Sequence, residues 1–439
     1  MQFTKTVLAL LLVTAMSLGA EPPVETKRTM SLEDCIRLAL EHNLDIRIQR
    51  YNPQISLYQL DSVYGTYDPL FSISGAHSSN TGLPGFDPTL GLVTPGSETD
   101  IDSFSSSING QLPWGMSYSI GANLGDATGT TPRVVPVVDP VTGITNFVVQ
   151  NFPFSNTAGQ MGALQLRQPL MKNFWIDGTR LQIALDKQNL RISELALLQQ
   201  VMATVTSVET AYYNLIYSFD QVTVQQKSVE LAARLLAENK KRVEVGALAP
   251  LDEKQAESQL AARTADLLGA QASLDTAQRL LKGLLTDDYS SWQRIAITPA
   301  AKLVAVPVAI DVHESWTKAL TQRPDIEQAR VNIEKQDVTI GYQKNQLFPQ
   351  VDVVGSYGYN ASSANSFNGA FKQWANGEAP FYSFGAQVSI PIGNRAARNN
   401  YRASKAAKEQ MQLQLKQLEQ NAMVIVDNSI GTVRTSLAQ

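Results

Sequence analysis

The sequence predicts an α+β membrane protein: long antiparallel coiled-coil helices, plus strands that contribute to a shared β-barrel, with an internal duplication supplying both. Three observations carry this. The chain aligns with itself at a fixed offset of 280 residues, its long helical stretches repeat apolar residues at alternating steps of 3 and 4, and six short segments alternate apolar with small polar residues.

The duplication comes first. "CIRLALEHNLDIRIQRYN" from Cys35 aligns without a gap on "SWTKALTQRPDIEQARVN" from Ser315. Ala39-Leu40 meets Ala319-Leu320, Asp45-Ile46 meets Asp325-Ile326, Pro69 meets Pro349, and Gly75 meets Gly355. A long insertion in the first copy then shifts the register. It resumes at "LRQPL" against "VSIPI", which pairs Pro169 with Pro391, and continues where "VETAYYNL" at Val208 resembles "VDNSIGTV" at Val426. By this alignment the second copy stops at Gln439, short of a second turn and return helix, and the chain reads as truncated. The expected organisation is a leader at 1–20, an N-terminal segment and first helices at 21–66, strands with long loops at 67–169, and a helical hairpin at 170–285. A connector at 286–311, a helix at 312–346, a second strand group at 347–391 and a long helix at 392–439 follow.

From about Thr179 to Val245 no proline interrupts the chain, and Val205, Val208, Tyr212, Leu215, Phe219, Val222, Val229, Ala233 and Leu236 form one stripe. At 1.5 Å per residue such a helix reaches roughly 100 Å. The return stretch carries Ala256, Leu260, Leu267, Ala270, Leu274, Ala277, Leu281 and Leu284. Val201, Leu231, Leu235 and Val243 lie off the first stripe and predict a second packing face, as helices in the wall of a tube require. Between the two helices stands Val245-Gly246-Ala247-Leu248-Ala249-Pro250-Leu251-Asp252. Gly246 suits a helix C-terminus, Pro250 a helix start, and Asp252 and Glu253 the first turn. So apolar a tip predicts that something docks on it.

The alternating segments are Phe71–Gly75, Phe104–Leu112, Met116–Leu124, Leu164–Leu166, Val351–Tyr359 and Tyr382–Ile390. Their polar positions are mostly Ser, Gly, Asn and Gln, which suits one lipid face and one watery face. Tyr64, Tyr67, Trp114, Trp175, Phe348 and Phe381 fall near strand ends, as an aromatic girdle would. Loops are expected at about 80–102, 126–157 and 361–380, against a short connection at Pro113-Trp114-Gly115. Six strands are too few to close a lumen, since barrels need about eight, so several copies must share one barrel.

The N-terminus has Lys5, an apolar run from Val7 to Val13 and a small-residue end at Gly19-Ala20, which reads as a secretory signal. No cysteine directly follows it to serve as a lipid attachment site, and no other apolar run would span a bilayer as a helix. Among 439 residues, 44% hydrophobic and 17% charged with a formal net charge of −4, no dense Lys/Arg run points to nucleic acid. The one cysteine, Cys35, is expected to be a small buried side chain; it forms no disulfide framework. His42, His77 and His313 are too scattered for a metal site or a triad, and "ETDID" at 98–102 reads as a solvated acidic patch in an outer loop. Neither a phosphate-binding glycine loop nor a carboxylate pair in a pocket is evident. No enzyme and no cofactor are expected.

"SLEDCIRLALEHNLDIR", "ALTQRPDIEQAR", "NQLFPQVDVVGSYGY", "VSIPIG" and "KRVEVGALAPLDEKQAESQL", in that order and with the duplication, resemble the TolC-like outer-membrane efflux proteins. The resemblance covers nearly the whole mature chain. It implies a homotrimer in outer-membrane lipid, with a shared β-barrel, a periplasmic α-barrel and a mixed belt drawing on 285–311 and the segment before Ser31. It further implies a passive exit duct working with a periplasmic adaptor protein and an inner-membrane transporter, with the 245–252 tip as the adaptor's contact. Pro69, Pro169, Pro349 and Pro391 would mark the strand–helix junctions. The family's protomer supplies four strands, twelve per trimer. Here an extra hairpin at Ser103–Gly125 implies six per protomer and eighteen in all. The competing readings are a soluble periplasmic coiled-coil adaptor, which needs no alternating strands, and a general porin, which needs no long helices.

Overall fold

The computed structural model describes residues 26–88, 91–304, 310–364 and 367–438, so the expected leader lies outside the described residues. The chain opens with β1 (Thr26–Met30), α1 (Leu32–His42), α2 (Leu44–Gln49) and α3 (Tyr51–Tyr64). Six strands follow: β2 (Leu70–Thr81), the short β3 (Gly85–Asp87) and β4 (Leu92–Thr94), β5 (Glu98–Gln111), β6 (Ser117–Val138) and β7 (Thr145–Pro169). Next come α4 (Gly178–Glu244), α5 (Pro250–Leu285), α6 (Tyr289–Trp292) and β8 (Ile295–Pro299). The second half holds α7 (Val312–Gln322), α8 (Pro324–Asn345), β9 (Gln350–Ser363), α9 (Phe367–Ala375), β10 (Pro380–Ser389) and α10 (Arg395–Ala438). Two compact units result, one of residues 1–55, 192–328 and 417–439, the other of 56–191 and 329–416.

In the first unit β1 pairs in parallel with β8, from Thr26 opposite Ile295 to Met30 opposite Pro299. Under this ribbon lies a core of Met30, Cys35 and Ala39 with Val208, Tyr212 and Leu215 of α4 and Ala277, Leu281 and Leu285 of α5. Tyr212 is wholly buried, and its hydroxyl donates to the Met30 carbonyl (3.1 Å) and accepts from Ala301 N–H (3.4 Å). A buried phenol must find such partners, and these tie the helix to the ribbon. Every residue of the expected α5 stripe is buried or half-buried, and so is every one on α4 except Ala233, which is exposed while Ala232 is buried instead. Leu231 and Leu235, off the stripe, are exposed together with Leu198, Met202, Tyr213, Tyr217 and Val224.

The duplication is visible as geometry. The break between α1 and α2 falls at Asn43 (φ −61°, ψ 125°), and the break between α7 and α8 falls at Arg323 (φ −73°, ψ 123°), the aligned position. The first isoleucine after each, Ile46 and Ile326, is fully buried. Asn43 makes its break rigid: Oδ1 accepts the N–H groups of Asp45 and Ile46, and Nδ2 donates to the Leu284 carbonyl at 3.1 Å. Arg323 instead pairs with Asp325, whose carboxyl it holds below the usual range, and Pro324 pre-sets the first turn of α8.

The second unit is built on one antiparallel sheet of order β10-β9-β7-β6-β5-β2. All six expected strand segments lie in it, including 103–125, which is part of the sheet. The expected loops are corrected. Residues 126–157 are mostly β6 and β7, because Val134, Val135, Val137 and Val138 face Thr145–Val149 in register. The 80–102 stretch holds β3, β4 and the start of β5, and 361–380 holds the end of β9 and α9. "ETDID" is therefore strand, not loop.

Register also corrects where the extra hairpin lies. In β2–β5 Gly75 stands opposite Phe104 and Ala76 opposite Ser103; in β9–β10 Gly355 stands opposite Phe384 and Ser356 opposite Ser383. The offset of the sequence repeat thus persists through both hairpins. β2–β5 and β9–β10 are the duplicates, and the added hairpin is β6–β7, not Ser103–Gly125. Pro169 and Pro391 still correspond in topology, each at or just past the end of the last strand before a long helix.

Cys35 lies wholly inside the α1–α4–α5 core, and burial pushes its thiol up to about 11. Folded protein is therefore expected to resist maleimide near neutral pH and to react once unfolded in guanidinium, as mass spectrometry would read. Prompt labelling of folded protein would mean that this core does not form.

Candidate functional site

Two places stand out. The sheet is the first, and its rows can be followed across all six strands. Phe71, Ile108, Ile120, Leu164, Tyr357 and Tyr382 stand opposite one another in turn, so one row is entirely apolar. The next row, on the other face, is Leu70, Asn109, Ser119, Gln165, Ser356 and Ser383, polar at every strand but the first. Cross-strand hydroxyl pairs Ser74–Ser105 (2.7 Å) and Ser356–Ser383 (2.7 Å) extend the polar face. Its apolar counterpart is bare: Phe71 is 61% exposed, Tyr382 75% and Phe384 85%. Among the described residues, neither sheet edge, β10 or β2, has a further partner strand.

Toward one end of the sheet lie the four prolines expected at strand–helix junctions. Pro69 and Pro349 immediately precede β2 and β9, Pro169 ends β7, and Pro391 lies two residues past β10. Proline there ends strand pairing without leaving a donor unpaired. What sequence reasoning missed is the polar network beside them. Asn345, buried, accepts from Asn173 N–H (2.6 Å) and donates to the Met171 carbonyl (3.2 Å). Asp177 caps α4 by accepting from Arg180 N–H (2.8 Å), and it also accepts from Arg180 Nε (3.1 Å) and Gln111 (3.3 Å). The Trp114 turn docks on this cap: Gly115 sits at φ +90°, and a Cβ there would lie 2.9 Å from Arg180 Nη2. An Asp shortly before a long helix was the available signal; its distant partner Gln111 comes from β5, and no local pattern names it.

Asp352 of β9 is buried beside Arg167 of β7. Oδ2 accepts from Arg167 Nε (2.8 Å), Arg167 Nη2 and Gln350 Nε2 (2.8 Å), while Oδ1 is buried with no partner. Among the described residues no group of three His, Cys, Asp or Glu is placed to hold a metal ion, and no helix is long and apolar enough to cross a membrane.

The second place is the tip between α4 and α5. Gly246 takes φ +73°, its N–H donates to the Val243 carbonyl (2.9 Å), and Ala247 N–H donates to Arg242 (2.8 Å). These two bonds make a Schellman end, which needs glycine at that position. Restart follows at once: Pro250 opens α5, and the Asp252 carboxylate accepts from Ala249 N–H at 3.2 Å. Alanine has no side-chain acceptor, so only this half of a capping box exists. Val245 is 78% exposed and Leu251 66%, Ala247, Ala249 and Pro250 are exposed, and Leu248 and Asp252 are half-buried. The eight predicted tip residues are thus one continuous, largely apolar turn.

Residues 144–286 and 316–439 match the family model described as Outer membrane efflux protein. A probable outer membrane lipoprotein, SilC of Salmonella typhimurium, is 23% identical over 260 residues, 58% of this chain and 53% of that protein. The match thus spans about half the length of this curated relative. Among solved structures, the CmeC outer membrane channel of Campylobacter jejuni superposes with a TM-score of 0.54 at 15% identity, over 92% of this chain and 70% of that one. The VceC outer membrane protein of Vibrio cholerae gives 0.56 at 14% identity, over 92% and 79%. The OprN outer-membrane channel gives 0.59 at 16%, over 92% and 73%. At these identities the likeness is one of fold.

Removing the cation beside a buried carboxylate is costly. Arg167 is half-exposed, which tempers the penalty, so Arg167→Met is expected to cost on the order of 2 kcal/mol. The thermal midpoint of the detergent-solubilised protein measures it; an unchanged midpoint would mean that Asp352 does not depend on Arg167.

Proposed function

The chain belongs to the outer membrane efflux protein family, and from that premise we propose that it is a passive exit duct of a tripartite efflux or type I secretion system. The observation that carries the reading is the sheet: an apolar row and a polar row alternate across six strands whose two outer edges have no partner among the described residues. Exposed edges are tolerated in lipid only when they close on other strands. Three copies, joined edge to edge, form one barrel of eighteen strands with the polar face inward. Strand numbers of this order leave an aqueous channel. The exposed apolar residues of α4, from Leu198 to Leu235, support helices that pack on neighbouring copies.

The duct has no chemistry of its own. An inner-membrane transporter supplies the energy and a periplasmic adaptor joins the two, docking on the Val245–Asp252 tip. An apolar turn of this exposure is stable in water only at a cost, which a covering partner removes. A soluble adaptor would have no use for a bare face carrying Phe71, Tyr382 and Phe384.

Purified in detergent, the protein is expected to run as a heat-resistant trimer and to open pores in planar bilayers that pass larger polymers than twelve-stranded ducts do. A protein that stays soluble and monomeric without detergent would refute the reading. Gly246→Asp and Leu248→Glu are expected to abolish export in cells while leaving outer-membrane trimers intact. Loss of the trimers instead would make the tip a structural turn only.

A further inference from the structure

The sheet face given to lipid carries a helix near its outer end. Moving away from the strand–helix junctions, the rows of that face run Phe71–Ile108–Ile120, Ile73–Ser106–Ala122 and Gly75–Phe104–Leu124, then reach His77–Asp102–Asp126–Thr157–Ser363. The last of these is polar at every strand. His77 Nδ1 lies 2.8 Å from the Asp102 carboxylate, and Thr157 Oγ1 donates to Asp126 at 2.8 Å. The apolar band of the wall therefore stops there, and α9 lies at its margin. Ala370 is wholly buried in a cluster with Leu124, Met161 and Ala361, and Phe367 lines one cavity with His77, Asp102 and Asp126.

The seat for this helix is built into the strands. Both pairings of β7 slip beneath it, with β6 between Gly121 and Asn123 and with β9 between Met161 and Leu164. Within this bulge Gly162 takes φ +62°, and Trp374 Nε1 comes within 3.4 Å of the place a Cβ would occupy. Gln373 accepts from Ser362 N–H at 2.9 Å. Ala122, Leu124, Tyr359 and Ala361 all belong to the apolar face, so α9 lies on the outside of the wall and not over the lumen.

The side of α9 turned away from the sheet is partly aromatic. Phe367, Ala370, Phe371 and Trp374 recur at helical spacing. Ala370 makes the contact, while Phe367 stays 53% exposed and Phe371 44%, its ring 5.3 Å from Trp374. Lys372 is the one charged residue of the helix. Height agrees with the chemistry. Pro349 to Ala361 is twelve residues; on strands tilted by about 40° these climb roughly 30 Å, against an apolar band about 25 Å tall. Tyr357 and Tyr359, with rings 5.7 Å apart, share the face just below, as a belt of aromatics at a bilayer boundary does. α9 packs on β9 and β7, whereas a neighbouring copy would join at β10 and β2.

We propose that α9 is an interfacial helix: it rides on the outer wall of the barrel, and Phe367 and Phe371 enter the boundary between acyl chains and headgroups of the outer leaflet. Exposed rings beside a lysine and an asparagine suit a boundary that is apolar on one side and wet on the other. The partner is lipid, and the inference rests on the lipid-facing reading of the sheet above. The β9–β10 connection then anchors the barrel at a fixed depth instead of closing its mouth.

Nitroxide labels on single cysteines in a Cys35→Ala background test it, in trimers reconstituted into phosphatidylethanolamine–phosphatidylglycerol vesicles. The depth parameter, the logarithm of collision with oxygen over collision with a water-soluble nickel complex, is positive in acyl chains and negative in water. It is expected to be positive at Phe371→Cys and Phe367→Cys, as at Phe384→Cys on the bare wall, and negative at Ser356→Cys on the polar face. A negative value at Phe371→Cys with a positive one at Phe384→Cys would overturn the interfacial helix. So would a label at Phe371→Cys that collides with neither reagent, since protein would then cover it. A negative value at Phe384→Cys would refute the lipid-facing reading itself, and the inference with it. Should the phenylalanine variants fail to form trimers, Lys372→Cys on the same helix is expected to fall between Phe384→Cys and Ser356→Cys. A value there at or below that of Ser356→Cys would overturn the proposal.

Discussion

Everything in the second unit follows from one constraint: a sheet that lies in lipid has no water to satisfy a free edge. Each unpaired backbone N–H or C=O in hydrocarbon costs several kcal/mol. A six-stranded antiparallel sheet whose edge strands, β2 and β10, have no outer partner among the described residues is therefore an incomplete object. The same constraint explains why the row Phe71–Ile108–Ile120–Leu164–Tyr357–Tyr382 is apolar without exception while its neighbour is nearly all polar. Lipid tolerates no polar substitute on one face, and a lumen gains from hydroxyls and amides on the other.

The transition from sheet to helix is where that regularity breaks, and the chain meets it with side-chain polarity. Prolines end the ladders, and Asn345, Asp177 and Arg180 then satisfy backbone groups that neither helix nor strand can reach. The turn through Gly115 takes φ +90°, a backbone conformation that suits glycine. In the first unit the corresponding task falls to Asn43, which holds the α1–α2 break against α5, and to Tyr212, whose hydroxyl serves both the Met30 carbonyl and Ala301. Both residues are buried polar groups with their hydrogen bonds made, so they specify one arrangement where apolar contacts alone would permit sliding.

Duplication followed by insertion accounts for the asymmetry between the two halves. The aligned breaks at Asn43 and Arg323, the matching burial of Ile46 and Ile326, and the shared registers at Gly75–Phe104 and Gly355–Phe384 describe one unit used twice. Into the first copy came β6–β7, which entered the sheet rather than decorating it, since an antiparallel hairpin adds two strands without disturbing the pairing sense on either side.

Much of this was legible beforehand. Periods of 3.5 and 2 are imprinted by burial on one face, so the α4 and α5 stripes, six strand segments and the 280-residue repeat could all be read from residue types. Gly246 and Pro250 likewise carry their conformations in their own covalent structure. The sequence could not say that 126–157 is mostly strand, because Gly and Pro there suggested a loop. Nor could it tell which hairpin was added, or that Ala232 rather than Ala233 is buried. Those depend on which strand lies opposite which and on the rotation of one long helix against its neighbours. Such facts are set by pairing between distant residues, and only the tertiary structure decides them.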